Sequence, residues 1–172
     1  TEEQLSDIDV LADAIAADVL PPKPAPVEVK VAQETGMDGI FEVDNAAFNK
    51  FSYGCEILTT RVDGKDYGCV INTAGQITSS DPKKITISCI KANHTCDMVA
   101  QAGIFNLSIL SEDVTYDMFK HFGFQSGRDV DKFAGFEQHA VRGENGIYYV
   151  TLGTSAWLSC KVVSTLDLGT HT

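Results

Sequence analysis

A series of short apolar runs separated by turn signals constrains this fold more than any other feature. The runs CEILTTRV (55–62) and DYGCVIN (66–72) flank Asp63-Gly64, a dipeptide typical of tight β-hairpins. Further strand-like runs lie at 84–90, 104–110, 146–152 and 155–168. The segment 127–136 between them is polar with aromatic residues, and we predict a loop there.

Only two segments in this region have helical patterns. The first is 93–103, where Asn93 or Thr95 can cap the start and Gly103 can end the helix. The second is 111–123, which ends at Gly123. Strands that follow one another with few helices between them do not form alternating βαβ units. The sequence therefore predicts a mainly β, α+β protein whose sheet closes into a barrel.

The N-terminal segment differs in composition from the rest. Residues 1–20 predict a helix with Ile8, Leu11 and Ile15 on one face. The run PPKPAP at 21–26 cannot continue a helix and predicts a semi-rigid polyproline linker. We expect one segment at 1–26 and a domain at 27–172. The helix is either the tail of a preceding domain or an arm packed on the second one.

Charge and apolar patterning narrow the classes of partner. The net charge is −11, from 24 acidic and 13 basic residues. This charge argues against nucleic acid or an anionic membrane as the main partner. No apolar run approaches the roughly 20 residues of a membrane-spanning helix. No secretory leader is recognised, so we expect a cytoplasmic protein.

The metal-ligating residue types show no metal-site spacing. The five cysteines are Cys55, Cys69, Cys89, Cys96 and Cys160, and no two form a CxxC pair. The four histidines are also widely separated. We predict no metal site and expect the cysteines to be reduced thiols.

Four polar segments are candidates for binding a ligand. VINTAGQITSSDP (70–82) leaves a strand and presents neutral hydrogen-bonding groups, and SCIKANHT (88–95) places a lysine and hydroxyls at a helix start, which suits an anion. KHFGFQSGRDVDKF (120–133) combines cations with phenylalanines, and GTHT (169–172) contains a histidine. Taken singly, the four segments also suit, in the same order, a surface loop, a capped helix with a solvated lysine, a surface loop anchored by core phenylalanines, and a solvated histidine.

Together, these segments resemble the flavin reductase-like FMN-binding domain, a split β-barrel. The resemblance runs from about Ala47 to Thr172 and rests on FSYGCEILTT, NTAGQITSSDP, ITISCIKANHT, FNLSILSED, HFGFQSGRDVDKF and GTHT. It is strongest to the domains linked to rubredoxin or to flavodiiron proteins. Family members continue with a further apolar strand, so the resemblance implies a domain truncated at its C-terminus. It also suggests that residues 1–20 are the last helix of a flavodoxin-like domain.

The resemblance implies site residues as well as a fold. Those matching the cofactor site, for FMN, are Asn72, Thr73, Gln76, Thr78, Ser79, Ser88, Lys91, Asn93, His94, Thr95 and His171. Those matching the mouth of the site, where the nicotinamide approaches, are His121, Phe122, Arg128 and Lys132. No side chain is expected to act as acid, base or nucleophile, because FMN accepts the hydride at N5.

The implied function is hydride transfer from NAD(P)H to FMN, followed by electron transfer to rubredoxin or to a flavodiiron centre that reduces O2 or NO. A second hypothesis is an electron-transfer module that holds FMN without oxidising NAD(P)H. The resemblance also implies a homodimer with the flavin near the subunit interface. NADH and NADPH are not distinguished by these residues.

Overall fold

The structure is a computed structural model that describes residues 45–172, and from Ala46 onward these form one compact unit. The predicted helix at 1–20 and the proline linker lie outside the described residues. Two α-helices and eight strands follow a short 3-10 helix at Asn45–Lys50. The strands are β1 (Glu56–Val62), β2 (Lys65–Ile71), β3 (Ala74–Thr78), β4 (Lys84–Ile87), β5 (Ile104–Leu110), β6 (Ala140–Arg142), β7 (Tyr148–Val150) and β8 (Thr154–Lys161); the helices are α1 (His94–Ala102) and α2 (Tyr116–Gly123).

All strand pairs are antiparallel. The main sheet has the order β2-β1-β5-β8, and two smaller sheets pair β3 with β4 and β6 with β7. The β1–β2 hairpin turns at Asp63 and Gly64, which both have positive φ, as a type I′ turn requires. The hairpin predicted from Asp63-Gly64 is therefore confirmed.

The central strand β1 is buried on both faces. Leu58 packs into a cluster with Val99 of α1 and Phe105 of β5. Its neighbour Ile57 points the opposite way, into a cluster with Met118 and Phe122 of α2. The sheet thus separates two apolar clusters, and each helix covers one of them.

The hydroxyls of two buried threonines in β1 are both hydrogen-bonded. The Thr60 hydroxyl donates to the Ile104 carbonyl at 2.8 Å, and the Thr59 hydroxyl donates to the Tyr148 carbonyl at 2.5 Å. Both side chains are fully buried. These bonds satisfy the hydroxyls and connect β1 to β5 and β7.

Helix α1 has the predicted ends. The Asn93 side chain accepts a hydrogen bond from the Thr95 amide at 3.0 Å, and Gly103 ends the helix at φ 69°. Asn93 is therefore the cap, and Thr95 is buried behind it. The residue types at the two ends of α1 are thus enough to predict the backbone conformation there.

Several predicted boundaries were wrong. No strand is predicted in the polar segment 72–80, but it contains β3, which pairs with β4 and has an irregularity between Gln76 and Thr78. The second helix starts at Tyr116 rather than at 111, because Ser111–Val114 makes a turn and the Ser111 amide donates to the Gly153 carbonyl. Strand β4 ends at Ile87 and β8 at Lys161, short of residues 90 and 168.

Candidate functional site

The predicted site segments come together through backbone pairing at the C-terminus. The Cys89 amide donates to the Thr172 carbonyl and the Thr172 amide donates back to the Cys89 carbonyl, both at 2.9 Å. The Lys91 amide donates to the Thr170 carbonyl at 3.0 Å, and Ile90 forms a bridge with His171. The predicted fourth segment therefore lies beside the second, along residues 89–91.

The neutral segment 72–80 contacts the segment that precedes α1. The Thr73 hydroxyl donates to the Ser88 carbonyl, which connects this segment to the one that precedes α1. Asn72, Gln76 and Ser79 are exposed. The one described hydrogen bond of the Gln76 side chain is donated to the Thr78 carbonyl. These side chains are available for a ligand.

Thr78 has a structural role. Its hydroxyl donates to the Pro82 carbonyl at 3.0 Å and accepts from the Lys84 amide at 2.8 Å. The hydroxyl thereby closes the turn between β3 and β4, which contains a cis peptide bond between Asp81 and Pro82. Thr78 is less available to a cofactor than its neighbours in this segment.

The start of α1 and the predicted mouth of the site form one cleft of about 370 Å³. Asn93, His94 and Thr95 line one side, and Phe122–Arg128 with Lys132 line the other. The volume lies in the range of roughly 300–1,000 Å³ that is usual for small-molecule sites. Two predicted sets of site residues, separated by about 30 positions in the sequence, thus meet here.

The cleft has a cationic and aromatic rim. The His94 ring meets the edge of the Tyr67 ring at 5.3 Å, and Arg128 pairs with Asp97 of α1 at 3.5 Å. Lys65 donates to the Gly127 carbonyl at 3.0 Å and lies over the Tyr67 ring. These contacts hold the 122–128 segment against α1.

Lys132 is a buried structural cation. Its ammonium donates to the carbonyls of Gly68 at 2.8 Å and Phe122 at 2.7 Å, and the residue is 4% exposed. Burial lowers the pKa of Lys132, partly offset by the nearby Cys69 thiol. The ammonium joins β2, α2 and the 127–136 loop at the floor of the cleft.

Two residues predicted for the mouth of the site face the core. Phe122 is fully buried, and its ring meets Phe133 and Phe136 edge-on. His121 stacks on Phe136 with a centroid distance of 4.8 Å, and its Nε2 lies 2.5 Å from the Lys132 carbonyl oxygen. Phe122 nevertheless contributes to the cleft wall, whereas His121 does not line it.

Lys91 lies outside the cleft walls but close to the paired C-terminal residues. Its ammonium contacts the Asp167 carboxylate at 2.5 Å, and this hydrogen bond lowers the pKa of Asp167. Both side chains are largely exposed. Lys91 can therefore exchange this carboxylate for another anion at little cost.

The chemistry of these groups fits an FMN molecule. Exposed neutral donors and acceptors on 72–79 suit a flavin ring, and the Lys91 and Arg128 cations near the start of α1 suit its phosphate. Among residues 46–172, no group of His, Cys, Asp and Glu side chains is arranged to hold a metal ion. None of the described helices is long and apolar enough to cross a membrane.

A family model described as "Flavin reductase like domain" matches residues 48–172. The chain belongs to this family. It is thus an oxidoreductase of the flavoprotein class, and the flavin reductase-like fold predicted from the sequence is confirmed.

Curated relatives place the flavin reductase-like domain in different contexts. A ferric-chelate reductase (NAD(P)H) of Archaeoglobus fulgidus is 35% identical over 76% of this chain and 75% of its own length. A high molecular weight rubredoxin of Moorella thermoacetica is 36% identical over 75% of this chain. The chain spans 55% of that relative and 21% of a diflavin flavoprotein from Synechocystis that is 28% identical.

Solved structures share the fold. An FMN-binding protein from Thermus thermophilus has a TM-score of 0.63 at 20% identity, covering 79% of this chain and 72% of that one. Flavoredoxin from Methanosarcina acetivorans has a TM-score of 0.63 at 22% identity, covering 77% and 69%.

Sequence reasoning missed several residues of the cleft. Tyr67, Gln125 and Gly127 contact or line it, and Cys69 lies on its floor. Tyr67 and Cys69 belong to the predicted strand 66–72, where the alternation of side chains signals burial but not which cavity a side chain reaches.

Proposed function

We propose that this flavin reductase-like domain binds FMN along residues 72–80, 88–95 and the cleft, and accepts hydride from NAD(P)H. The observation that carries the proposal is the meeting of the α1 start with the 122–132 segment on one cleft, inside the region that the family model matches. The name of the Archaeoglobus relative supports a reductase that uses NAD(P)H.

The roles of the residues follow from their exposure and charge. Exposed Asn72, Gln76 and Ser79 would hydrogen-bond the ring carbonyls and nitrogens, and Lys91 with Arg128 would pair with the phosphate. FMN, when bound, supplies an N5 atom that accepts a hydride. The buried Lys132 would keep the cleft floor rigid, so that the two substrates are held in reacting orientation.

We further propose that the electrons pass to a rubredoxin or a flavodiiron centre, as the resemblance of the sequence implies. One relative is named a high molecular weight rubredoxin and another a diflavin flavoprotein. Such a partner would lie on the same polypeptide or on another one. All five cysteines are unpaired in the structure, which suits a reducing, cytoplasmic setting.

An anaerobic reconstitution tests the proposed reaction. The chain is loaded with FMN, NADH or NADPH is added, and the absorbance of the oxidised flavin is followed. Rapid bleaching with either nucleotide is the expected result. A bound flavin that stays oxidised would contradict direct NAD(P)H oxidation and favour an electron-transfer module instead.

We also propose a homodimer that covers β8. This strand is an edge of the main sheet, and it exposes Trp157 (43%) and Leu158 (39%) beside an apolar cavity of about 620 Å³. Exposed apolar edges commonly serve as interfaces. Sedimentation velocity at micromolar concentration should give the mass of a dimer, and a monomer at all concentrations would contradict the proposal.

A further inference from the structure

Three cysteines that are distant in sequence meet in the core between the main sheet and α1. Cys69 lies in β2, Cys89 follows β4, and Cys96 lies in the first turn of α1. Cys69 and Cys89 are 5% and 6% exposed and share one apolar cluster, against which Cys96 packs. The Cys96 thiol is close enough to both other thiols for each to shift its pKa. We call these three residues the thiol cluster.

The two thiols of the Cys69–Cys96 pair differ in acidity. A hydrogen bond from the Cys96 thiol lowers the pKa of Cys69 to about 7, against the opposing effect of burial. Asn93, Thr95 and the Lys132 ammonium act in the same direction. The same contacts with Cys69 and Cys89, together with burial, raise the pKa of Cys96. Cys69 is therefore the more readily deprotonated of the two thiols.

The thiol cluster can be reached by small molecules. Cys69 lines the cleft of about 370 Å³, which is open to solvent beside Asn93 and Thr95. Cys89 and Cys96 line the larger cavity on the other side of the cluster. A small, uncharged oxidant such as hydrogen peroxide fits through the cleft, whereas a bulky disulfide does not reach a sulfur that is 5% exposed.

We propose that Cys69 and Cys96 form a peroxide-reactive dithiol that closes into a disulfide. The Cys69 thiolate attacks one oxygen of hydrogen peroxide, so that an S–O bond forms and the O–O bond breaks. The hydroxide released takes up the proton that Cys69 had lost, giving water. The Cys96 sulfur then attacks Cys69, the S–O bond breaks, and the hydroxyl leaves with the Cys96 proton as a second water. Two thiols are oxidised by two electrons and one peroxide is reduced.

This reaction requires no flavin, so it stands apart from the proposed FMN chemistry. The thiolate is the reactive form of cysteine, and a hydrogen-bonded, cation-adjacent setting is where reactive cysteines are found. Cys55 and Cys160 provide the contrast, because burial raises the pKa of both thiols. Cys160 packs against the same apolar cluster as Cys96, but its pKa is raised by burial alone.

The test uses the full, reduced, flavin-free chain treated with hydrogen peroxide. Free thiols are counted after denaturation, and the digest is analysed by mass spectrometry. We expect the number of free thiols to fall from five to three, with a cross-linked peptide pair that contains Cys69 and Cys96. No thiol loss, or a cross-link between another pair, would overturn the proposal.

Two variants sharpen the result. In Cys96→Ser the disulfide cannot form, and a sulfenic acid on Cys69 should be trapped by dimedone. The matched control Cys160→Ser removes a half-buried thiol that packs against the same apolar cluster but is not one of the three, and the loss of two thiols should persist. An unchanged loss of two thiols in Cys96→Ser would contradict the assignment. The peptide mapping of the unmodified chain decides the question even if a variant fails to fold.

Discussion

Replacing Lys132 by Met tests whether a buried ammonium holds the floor of the cleft together. The lysine is 4% exposed and donates to two backbone carbonyls, from Gly68 in β2 and from Phe122 near the end of α2. Methionine has a similar length and keeps the apolar contacts of the side chain, but it cannot donate. The variant therefore removes the two hydrogen bonds with little change in packing.

The expected loss follows from those two bonds. A buried carbonyl left without its donor costs about 1–3 kcal/mol, so two such groups cost about 2–6 kcal/mol. Relief from burying an ammonium offsets part of this cost, and the lowered pKa of Lys132 shows that such a burial penalty exists. A net loss of about 2–3 kcal/mol in the free energy of unfolding is expected. For a chain of this size it lowers Tm by about 4–12 °C.

Urea unfolding at pH 7, followed by circular dichroism, measures the effect of Lys132→Met. The matched control is Lys120→Met, which removes an exposed lysine on α2 that pairs with Asp117 across one helical turn and lies over the Tyr116 ring. The control should change the stability by at most about 0.5 kcal/mol. Equal stability of the two variants would refute the structural role assigned to Lys132.

Three further predictions concern separate parts of the domain. Burial raises the pKa of Glu56, and its Oε2 has no hydrogen-bond partner among residues 46–172. The Glu56 carboxyl therefore contributes favourably to the free energy of unfolding while it is protonated at acid pH. This contribution is lost as the pH rises through the raised pKa. Glu56→Gln should therefore stabilise by about 1 kcal/mol at pH 7 and not at pH 4, measured by thermal unfolding. Gly153→Ala should destabilise the domain by about 2–4 kcal/mol in urea unfolding, since φ is +63° and the new Cβ would lie 2.9 Å from the Cα of Val114. The control Gly135→Ala has open space around its new Cβ and should lose only about 1 kcal/mol in the same assay. Lys91→Ala should weaken FMN binding about fivefold, or about 1 kcal/mol, in a fluorescence titration. Equal stabilisation at both pH values, equal losses in the glycine pair, or unchanged FMN affinity would contradict the respective arguments.

Local chemistry explains which parts of the fold could be predicted. The Asp63-Gly64 turn and the Asn93 and Gly103 caps depend on backbone conformations that few residues adopt, so the sequence identifies them. Strands β1 and β5 are buried between two layers and appear as apolar runs. These features are specified within a few residues of chain.

The parts that were missed depend on distant partners. Strand β3 is polar and becomes a strand only because β4 pairs with it, and β6 has three residues that need β7. The burial of Lys132 requires two carbonyls that lie 64 and 10 residues away. No local pattern marks such a site, because a lysine in a polar segment is normally solvated.

The residues of the candidate site were also only partly predictable from the sequence. The sequence named Asn93, His94, Thr95 and Arg128, and the structure gathers them around one cleft. It did not distinguish the exposed neighbours of Thr78 from Thr78 itself, whose hydroxyl closes a turn. Nor did it reveal the thiol cluster, whose three members are separated by strands and a helix start.

The measurement that tests the central claim most directly is an equilibrium titration of the flavin-free chain with FMN, followed by quenching of flavin fluorescence, with riboflavin as the comparison. The account predicts saturable binding of one FMN per chain and weaker binding of riboflavin, which lacks the phosphate that Lys91 and Arg128 would meet. No saturable FMN binding would contradict the account, and equal affinity for the two flavins would contradict its phosphate assignment.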